Sequence, residues 1–273
     1  MSTPHSQQSL LAGRPTAAER PGGDKEFMAT LAKGLAVLGA FGEQRPTMTL
    51  SQAAEASGLT RAAARRVLKT LTELGYVAQD GRQFSLAPRI LELGFAYLST
   101  QSWIDRAEPL MKELSHTLRE SCSAAILQDS EIVYVARMPA PHRLMSTTIA
   151  VGTRLSAFHT SLGRIQLGYL ADDDLVERVA AATLKRHTPH TITDPEQLLQ
   201  RIRADHEQGH SIVDEELELG LRSIAMPIVT RAGVNVGAIN LSAHAGRTTP
   251  ADLRERFLPA LSDVATAISR TLA

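Results

Sequence analysis

Arg61, Arg65 and Lys69, with Thr72, recur at helical spacing, and Arg66 lies at their flank. At about 3.6 residues per turn, Ala64, Val67, Leu68, Leu71 and Leu74 fall on the other side of the same helix. An apolar stripe opposite a cationic one suits a helix that enters the major groove of duplex DNA. Arginine's planar fork can make two hydrogen bonds to guanine O6 and N7, which lysine cannot match. Thr60 is placed to cap this helix and to leave its first amides near a phosphate. Ser51, Thr60, Arg61, Arg65, Arg66, Lys69, Thr70 and Arg82 form the candidate DNA-contacting set. Taken alone, the stripe also fits a solvated face of an ordinary surface helix, so the neighbouring elements must decide.

A second group, His206-Glu-Gln-Gly-His210, matches the two-histidine pattern of zinc hydrolases. That chemistry needs both imidazoles one turn apart on a continuous helix, with Glu207 facing a water. Gly209 reads as a helix stop and Ser211-Ile-Val as a strand start, so His210 is expected to leave the helix. A zinc hydrolase domain using His206, Glu207 and His210, fused to a DNA-binding head, is the competing reading. Cys122 follows Glu120-Ser and heads an apolar strand, which reads as a small buried hydrophobe. Ser161 lies in Thr-Ser-Leu-Gly rather than a nucleophile elbow. Neither a phosphate-binding loop nor a dinucleotide-binding glycine pattern is present. The expectation is a protein that is not an enzyme, with no cofactor and no metal.

The elements around the stripe place it in a known arrangement. Leu31, Leu35, Leu38 and Phe41 mark a first helix. Thr49 is positioned to cap a short helix that runs to Ser57, and Gly58 falls where a helix ends. Thr60 caps the next, Arg61 to Leu74, which stops at Gly75. Two helices joined by so short a turn form a helix-turn-helix. Tyr76-Val77, the Asp80-Gly81 turn signal and the alternation of Phe84 and Leu86 then predict a two-stranded wing. Residues 1–24, rich in Ser, Thr, Pro, Gln and Gly, read as a disordered tail. Residues 25–89 read as a winged helix-turn-helix DNA-binding domain, 90–102 as a linker helix and 103–273 as a second domain. A helix from Asp105 to Glu120 is followed by strands at Ser123–Leu127, Glu131–Ala136 and Ser146–Ile149. Helices at Leu162–Leu170, Asp173–Ala182 and Glu196–Gln208 come next. Strands at Ser211–Asp214, Ser223–Val229 and Asn235–Ala243 precede a closing helix at Pro250–Leu272. The fold class is α+β, with a C-terminal α/β domain built on one central sheet.

Composition agrees with a soluble, two-domain protein: 43% hydrophobic, 21% charged, one cysteine and no net charge. No apolar run approaches the length of a membrane span, and no secretory leader is seen, so a cytoplasmic protein with no membrane partner is expected. The zero net charge hides an asymmetry. Residues 25–89 carry nine Lys/Arg against five acids, and residues 90–273 carry 18 against 22. A basic head on an acidic body is the footprint of a polyanion-binding module.

The segment Leu50-Ser-Gln-Ala-Ala-Glu-Ala-Ser-Gly58-Leu-Thr-Arg-Ala-Ala-Ala-Arg-Arg-Val-Leu-Lys69-Thr-Leu71, followed by Leu74-Gly-Tyr-Val77, resembles the winged helix of IclR-type bacterial transcription regulators. Val151-Gly-Thr-Arg-Leu155, Thr160-Ser-Leu-Gly-Arg164, Asp214-Glu-Glu216, Gly220-Leu-Arg-Ser-Ile-Ala-Met-Pro227 and Val236-Gly-Ala-Ile-Asn-Leu-Ser242 resemble that family's effector-binding domain. More narrowly, Glu120-Ser-Cys-Ser-Ala-Ala125, Val133-Tyr-Val-Ala-Arg137 and Thr188-Pro-His-Thr191 are similar to its β-ketoadipate-pathway branch. The resemblance runs from about residue 25 to the end. It implies a GAF-like effector domain, a homodimer or homotetramer, and a palindromic double-stranded operator. The implied effector is a small aromatic or dicarboxylic acid: protocatechuate, 4-hydroxybenzoate or β-ketoadipate.

A carboxylate leaving water needs a cation or several donors, together with apolar walls for the rest of the ligand. The motif-matched polar positions are Thr160, Ser161, Ser223, Asn240 and Ser242. The cationic candidates are Arg137, Arg143, Arg164 and Arg222, each of which also fits a structural ion pair. Phe158 is bulky where the family has a small residue, and is expected to line or narrow the pocket. Thr160-Ser161 also fits a simple helix cap. The acidic run Asp214 to Glu216 is expected to pair Arg222 or a neighbouring subunit.

Overall fold

The computed structural model describes residues 27–42, 44–140 and 149–272. The expected tail, Arg143 and most of the strand expected at Ser146–Ile149 lie outside those residues. The chain forms two compact units that divide after Ser99.

The first unit contains α1 (Ala29–Gly39), β1 (Thr47–Thr49), α2 (Leu50–Ala56), α3 (Arg61–Glu73), β2 (Val77–Asp80), β3 (Gln83–Leu86) and α4 (Ile90–Leu98). Val37, Phe41, Met48, Ala53, Leu68, Leu71 and Val77 make its core. Thr49 caps α2 with a full capping box: its side chain accepts from the Gln52 amide, and the Gln52 side chain accepts from the Thr49 amide. Gly58 takes a φ of 65°, a conformation that lets the chain turn directly into the Thr60 cap of α3. The wing strands pair Asp80 with Gln83, so the turn residues are Gly81 and Arg82 rather than Asp80 and Gly81. Gly81 alone of the two has a positive φ, the pattern of a type II′ turn. β1 is a third, edge strand on β3, too short to show an alternation in the sequence.

The second unit begins with α5 (Ser102–Leu118). Trp103, Ile104, Ala107, Met111 and Leu114 are buried at spacings of three and four along it. Two long strands follow, β4 (Ser121–Gln128) and β5 (Glu131–Met138), then the short β6 (Arg154–Ser156). Next come α6 (Ser161–Leu167), α7 (Asp172–Ala181) and α8 (Pro195–Glu207), then β7 (Ser211–Asp214), β8 (Leu221–Val229) and β9 (Asn235–His244). A single turn, α9 (Pro250–Asp252), passes through a π-helical turn into α10 (Leu258–Arg270).

The six strands form one sheet in the order β6-β5-β4-β9-β8-β7, antiparallel throughout. α5 and α10 pack on each other and on the sheet. α6 covers the sheet residues Ala125, Tyr134, Ala225 and Ala238, using Leu162 and Ile165. It approaches unusually close to the chain before it: a Cβ on Gly163 would lie 2.2 Å from the Ala157 Cα, so only glycine permits this seating. Among the described residues, no helix is long and apolar enough to cross a membrane.

Candidate functional site

Two sites can be built from the candidate residues, one in each unit. In the first unit, α3 is capped by the Thr60 hydroxyl, which accepts from the Ala63 amide at 3.3 Å. Ala64, Leu68 and Leu71 anchor the helix in the core. Arg61, Arg65, Arg66, Lys69 and Thr70 are exposed along it, as are Ser51 on α2, Thr60 at the cap and Arg82 at the wing turn. Thirteen residues of helix span about 20 Å, enough to present these cations along a groove. Thr70 donates its hydroxyl to the Arg66 carbonyl at 3.0 Å, and Lys69 lies 3.7 Å from Glu73. Both groups of that pair are largely exposed, so the pair is weak and does not remove Lys69 from solution.

Two details of the stripe differ from what the periodicity predicts. Thr72 lies one turn beyond buried Leu68 and donates its hydroxyl to the Leu68 carbonyl, so it sits at the edge of the core face. Leu74 is the C-cap, already off the helical spiral, and is 51% exposed.

In the second unit, the sheet and the chain leading into α6 enclose a pocket lined by Tyr134, Arg137, His159, Thr160, Ser161, Ser223, Asn240 and Ser242. Ile149, Leu155, Val213, Leu217 and Leu221 supply its apolar walls. Its free space, counting the open mouth, is about 470 Å³. Ser223 and Ser242 face each other across β8 and β9, and Asn240 lies two residues from Ser242 on the same face. Ser161 Oγ donates to Ser223 Oγ at 2.9 Å, which ties the start of α6 to the sheet. The Thr160 hydroxyl accepts from the Gly163 amide and donates to the Ser156 carbonyl, so the residue is a helix cap as well as a lining group.

Three expected pocket residues stand elsewhere. Arg164 is completely buried and donates from Nε to the Phe158 carbonyl at 2.7 Å. Its Nη1 and Nη2 donate to the two carboxylate oxygens of Glu216 at 2.7 and 2.5 Å. Its charge is matched by Glu216 inside the core, and the side chain is not among those that line the pocket. Arg222 is held the same way by both oxygens of Asp214 and by the Thr248 carbonyl, which realises the pairing expected for the acidic run. Phe158 is not in the lining: it is buried in the core with Leu162 and Ile165. Of the cationic candidates, Arg137 is the described one that reaches the pocket.

His159, Ile149, Val213 and Leu217 lie outside the sequence motifs, and Tyr134, Leu155 and Leu221 lie inside them without being singled out as pocket residues. Tyr134 has the nearest thing to a signal, since it shares a strand with Arg137. His159 is pushed down to about 4 by burial, then by the nearby His187 and Arg164 charges, against the pull of Glu216. It is therefore neutral at pH 7. Its Nδ1 lies 3.2 Å from the Ser156 hydroxyl and its ring meets His187 edge-on at 5.1 Å. Burial pushes the Tyr134 phenol up to about 12 and the Cys122 thiol up to about 12, so both stay protonated. That leaves Cys122 a packing residue.

The histidine pattern does not form a zinc site. α8 ends at Glu207, Gly209 turns the chain with a φ of 74°, and His210 lies past the helix on the way into β7. His206 packs on Tyr169 instead, ring centroids 4.6 Å apart. Among the described residues, no group of three or more metal-ligating side chains converges.

Both units have counterparts among known proteins. Residues 30–81 match the IclR helix-turn-helix domain, and residues 95–270 match the bacterial transcriptional regulator IclR C-terminal domain. The chain is 44% identical over 239 residues to the Pca regulon regulatory protein of Pseudomonas putida, covering 88% of this chain and 82% of that one. It is 36% identical over 245 residues to the p-hydroxybenzoate hydroxylase transcriptional activator of Acinetobacter baylyi, covering 88% and 90%. A crystal structure of a protein described as a transcriptional regulator from Rhodococcus sp. RHA1 superposes with a TM-score of 0.80 at 44% identity, covering 90% and 98%.

Proposed function

The chain belongs to the IclR family of bacterial transcriptional regulators, and from that premise we propose that it controls aromatic-acid catabolism, reading a small carboxylic acid in its second unit. It is a DNA-binding regulator with an effector domain, not an enzyme. The finer reading makes α3 the helix that reads a palindromic operator. Arg61, Arg65, Arg66 and Lys69 supply base and phosphate contacts, with Ser51, Thr60, Thr70 and Arg82 as flanking donors. The effector is protocatechuate, 4-hydroxybenzoate or β-ketoadipate.

The observation that carries this is the chemistry of the pocket. One arginine, a cluster of hydroxyls and an amide line the pocket together with aliphatic side chains, as a carboxylic acid with an apolar body requires. The names of the two curated relatives support the choice of pathway. A homodimer or homotetramer is supported by apolar side chains left in solvent on α1 and α4. Leu31 and Leu35 on the first and Leu91, Leu93, Phe95 and Tyr97 on the second are each about half or more exposed.

Thermal unfolding of the full chain with each acid tests the effector reading. A ligand that binds only the folded state at a hundred times its Kd stabilises it by about 2.7 kcal/mol, an easily read shift in Tm. No shift with any of the three acids would refute the pathway assignment.

A further inference from the structure

The pocket floor has two chemically different ends. Ser123 on β4 pairs with Arg137 on β5 at one side and with Asn240 on β9 at the other. The three residues therefore stand in one row on one face of the sheet. Two strand spacings, about 9.5 Å, separate the backbones of Arg137 and Asn240. Arg137 Nη1 donates to Ser123 Oγ at 3.3 Å, so the guanidinium leans along the row toward Asn240.

At the first end stands a cation. Arg137 is the only Lys or Arg among the described residues that line the pocket. The imidazole in the wall, His159, does not add a second positive charge at neutral pH. At the other end stands an acceptor. Asn240 is 4% exposed, and its Nδ2 donates to Ser242 Oγ at 3.1 Å. Its Oδ1 is buried and receives no hydrogen bond from the described residues. Native sites rarely leave a buried acceptor without a donor, because the lost hydration is not replaced.

The geometry points to Asn240 as the residue that selects the effector: the pocket takes an aromatic monocarboxylate whose acid group meets Arg137 and whose hydroxyl, across the ring, donates to Asn240 Oδ1. This rests on the aromatic-acid reading of the pocket. A second carboxylate at the Asn240 end would set anionic oxygens against Oδ1, with no further cation among the described lining residues to offset its desolvation.

Isothermal titration of the full chain tests it with four probes of graded chemistry. These are 4-hydroxybenzoate, benzoate, 4-fluorobenzoate (similar in size but without the donor) and terephthalate, with adipate as an aliphatic control. We expect 4-hydroxybenzoate to bind at least about tenfold more tightly than each of the others, the scale of one unsatisfied buried acceptor. Asn240→Ala and Asn240→Leu should bring 4-hydroxybenzoate down to the level of benzoate while leaving benzoate itself within about threefold. Arg137→Gln should weaken every acid. The ligand series on the unaltered protein needs no variant to fold. If 4-fluorobenzoate or a dicarboxylate binds it as tightly as 4-hydroxybenzoate, the inference fails while the aromatic-acid reading stands. It fails in the same way if Asn240→Ala keeps the tenfold preference. If none of the acids binds, the broader reading fails as well.

Discussion

Replacing Arg164 with methionine should unfold the second unit far more readily than removing a surface arginine would. Arg164 is fully buried, and the Glu216 side chain that it holds is only 10% exposed. After the substitution the carboxylate keeps a single described donor, the Ile192 amide at 3.3 Å. Breaking one partner of a buried pair costs about 3–5 kcal/mol, because the other charge stays behind in low dielectric. The Phe158 carbonyl also loses its donor, a cost of about 1–3 kcal/mol that overlaps with that figure.

These two contributions can be separated. In the double variant Arg164→Met with Glu216→Leu, the stranded charge is gone and the orphaned Phe158 carbonyl remains. The expected loss is then about 1–3 kcal/mol, smaller than in the single variant. Urea unfolding followed by tryptophan fluorescence reads this directly. The protein has one tryptophan, Trp103, and it is buried in the core of the second unit, so the signal is blind to the first. A single-variant loss below about 1 kcal/mol would refute the assignment of Arg164 to a buried structural pair. A double variant no more stable than the single would refute the claim that a stranded charge causes the loss.

Two other outcomes follow from the same geometry. Arg65→Ala should weaken operator binding by about 1–3 kcal/mol if its guanidinium reads a guanine edge, and titration of the operator against a scrambled duplex will show whether the loss is sequence-specific. An equal loss on both duplexes would make Arg65 a phosphate contact instead. The second outcome concerns pH. The folded state holds His159 down to about 4, below its ordinary value of 6.5, so between these values the unfolded chain binds the proton and the folded one does not. Its contribution is therefore fully present above pH 6.5 and is lost as pH falls toward 4, up to about 3 kcal/mol at about 1.4 kcal/mol per unit. His187 is shifted in the same direction, while buried Glu120 and Asp205 are raised by burial and act oppositely. The difference between the unaltered protein and His159→Gln isolates the one imidazole: the variant should lose less stability from pH 6.5 to 4. Parallel pH profiles would show that His159 titrates normally.

The first unit is legible in the sequence because its signals are local. Thr49, Gly58, Thr60 and Gly75 each act through a cap or a positive φ within a few residues of themselves, and the helices start and stop where those residues place them. The wing turn lies one residue later than expected because Asp80 and Gly81 announce a tight turn without stating which of them pairs. In the second unit, β7 matches the expected span, and β4, β5, β8 and β9 differ at their ends, where hydrogen bonding to a neighbouring strand rather than residue type sets the boundary; β6, three residues long, is a strand not expected from the sequence. The pocket is legible in its polar residues and not in its cations. Arg137, Arg164 and Arg222 are alike in sequence, and only tertiary pairing reveals that Glu216 and Asp214 hold the last two. Phe158 misleads for a similar reason: its bulk is visible in the sequence, but its place in the core beside Leu162 and Ile165 is set by tertiary packing.

That division of the arginines also explains the charge asymmetry. The second unit is acidic overall, yet several of its carboxylates are paired with its own cations, among them Asp214 and Glu216 beside the lining residues Val213 and Leu217. Arg154 is paired with Glu131, Arg203 with Asp172, Arg201 with Asp205 and Arg247 with Glu120, besides the two buried pairs. Pairs closed over a few ångströms leave little field at the pocket, and carboxylates farther away than a Debye length of about 8 Å are screened at physiological salt. The second unit can therefore be acidic and still carry a pocket for an anionic ligand. The cations of α3 have the opposite arrangement: Arg61, Arg65 and Arg66 stand exposed on a face where Glu73 is the one acid in the helix. A polyanion meets their charge undiminished, and the release of its counterions favours binding. The net charge of zero thus sums a basic first unit, whose cations stand exposed on α3, and an acidic second unit in which Asp214 and Glu216 are paired beside the pocket.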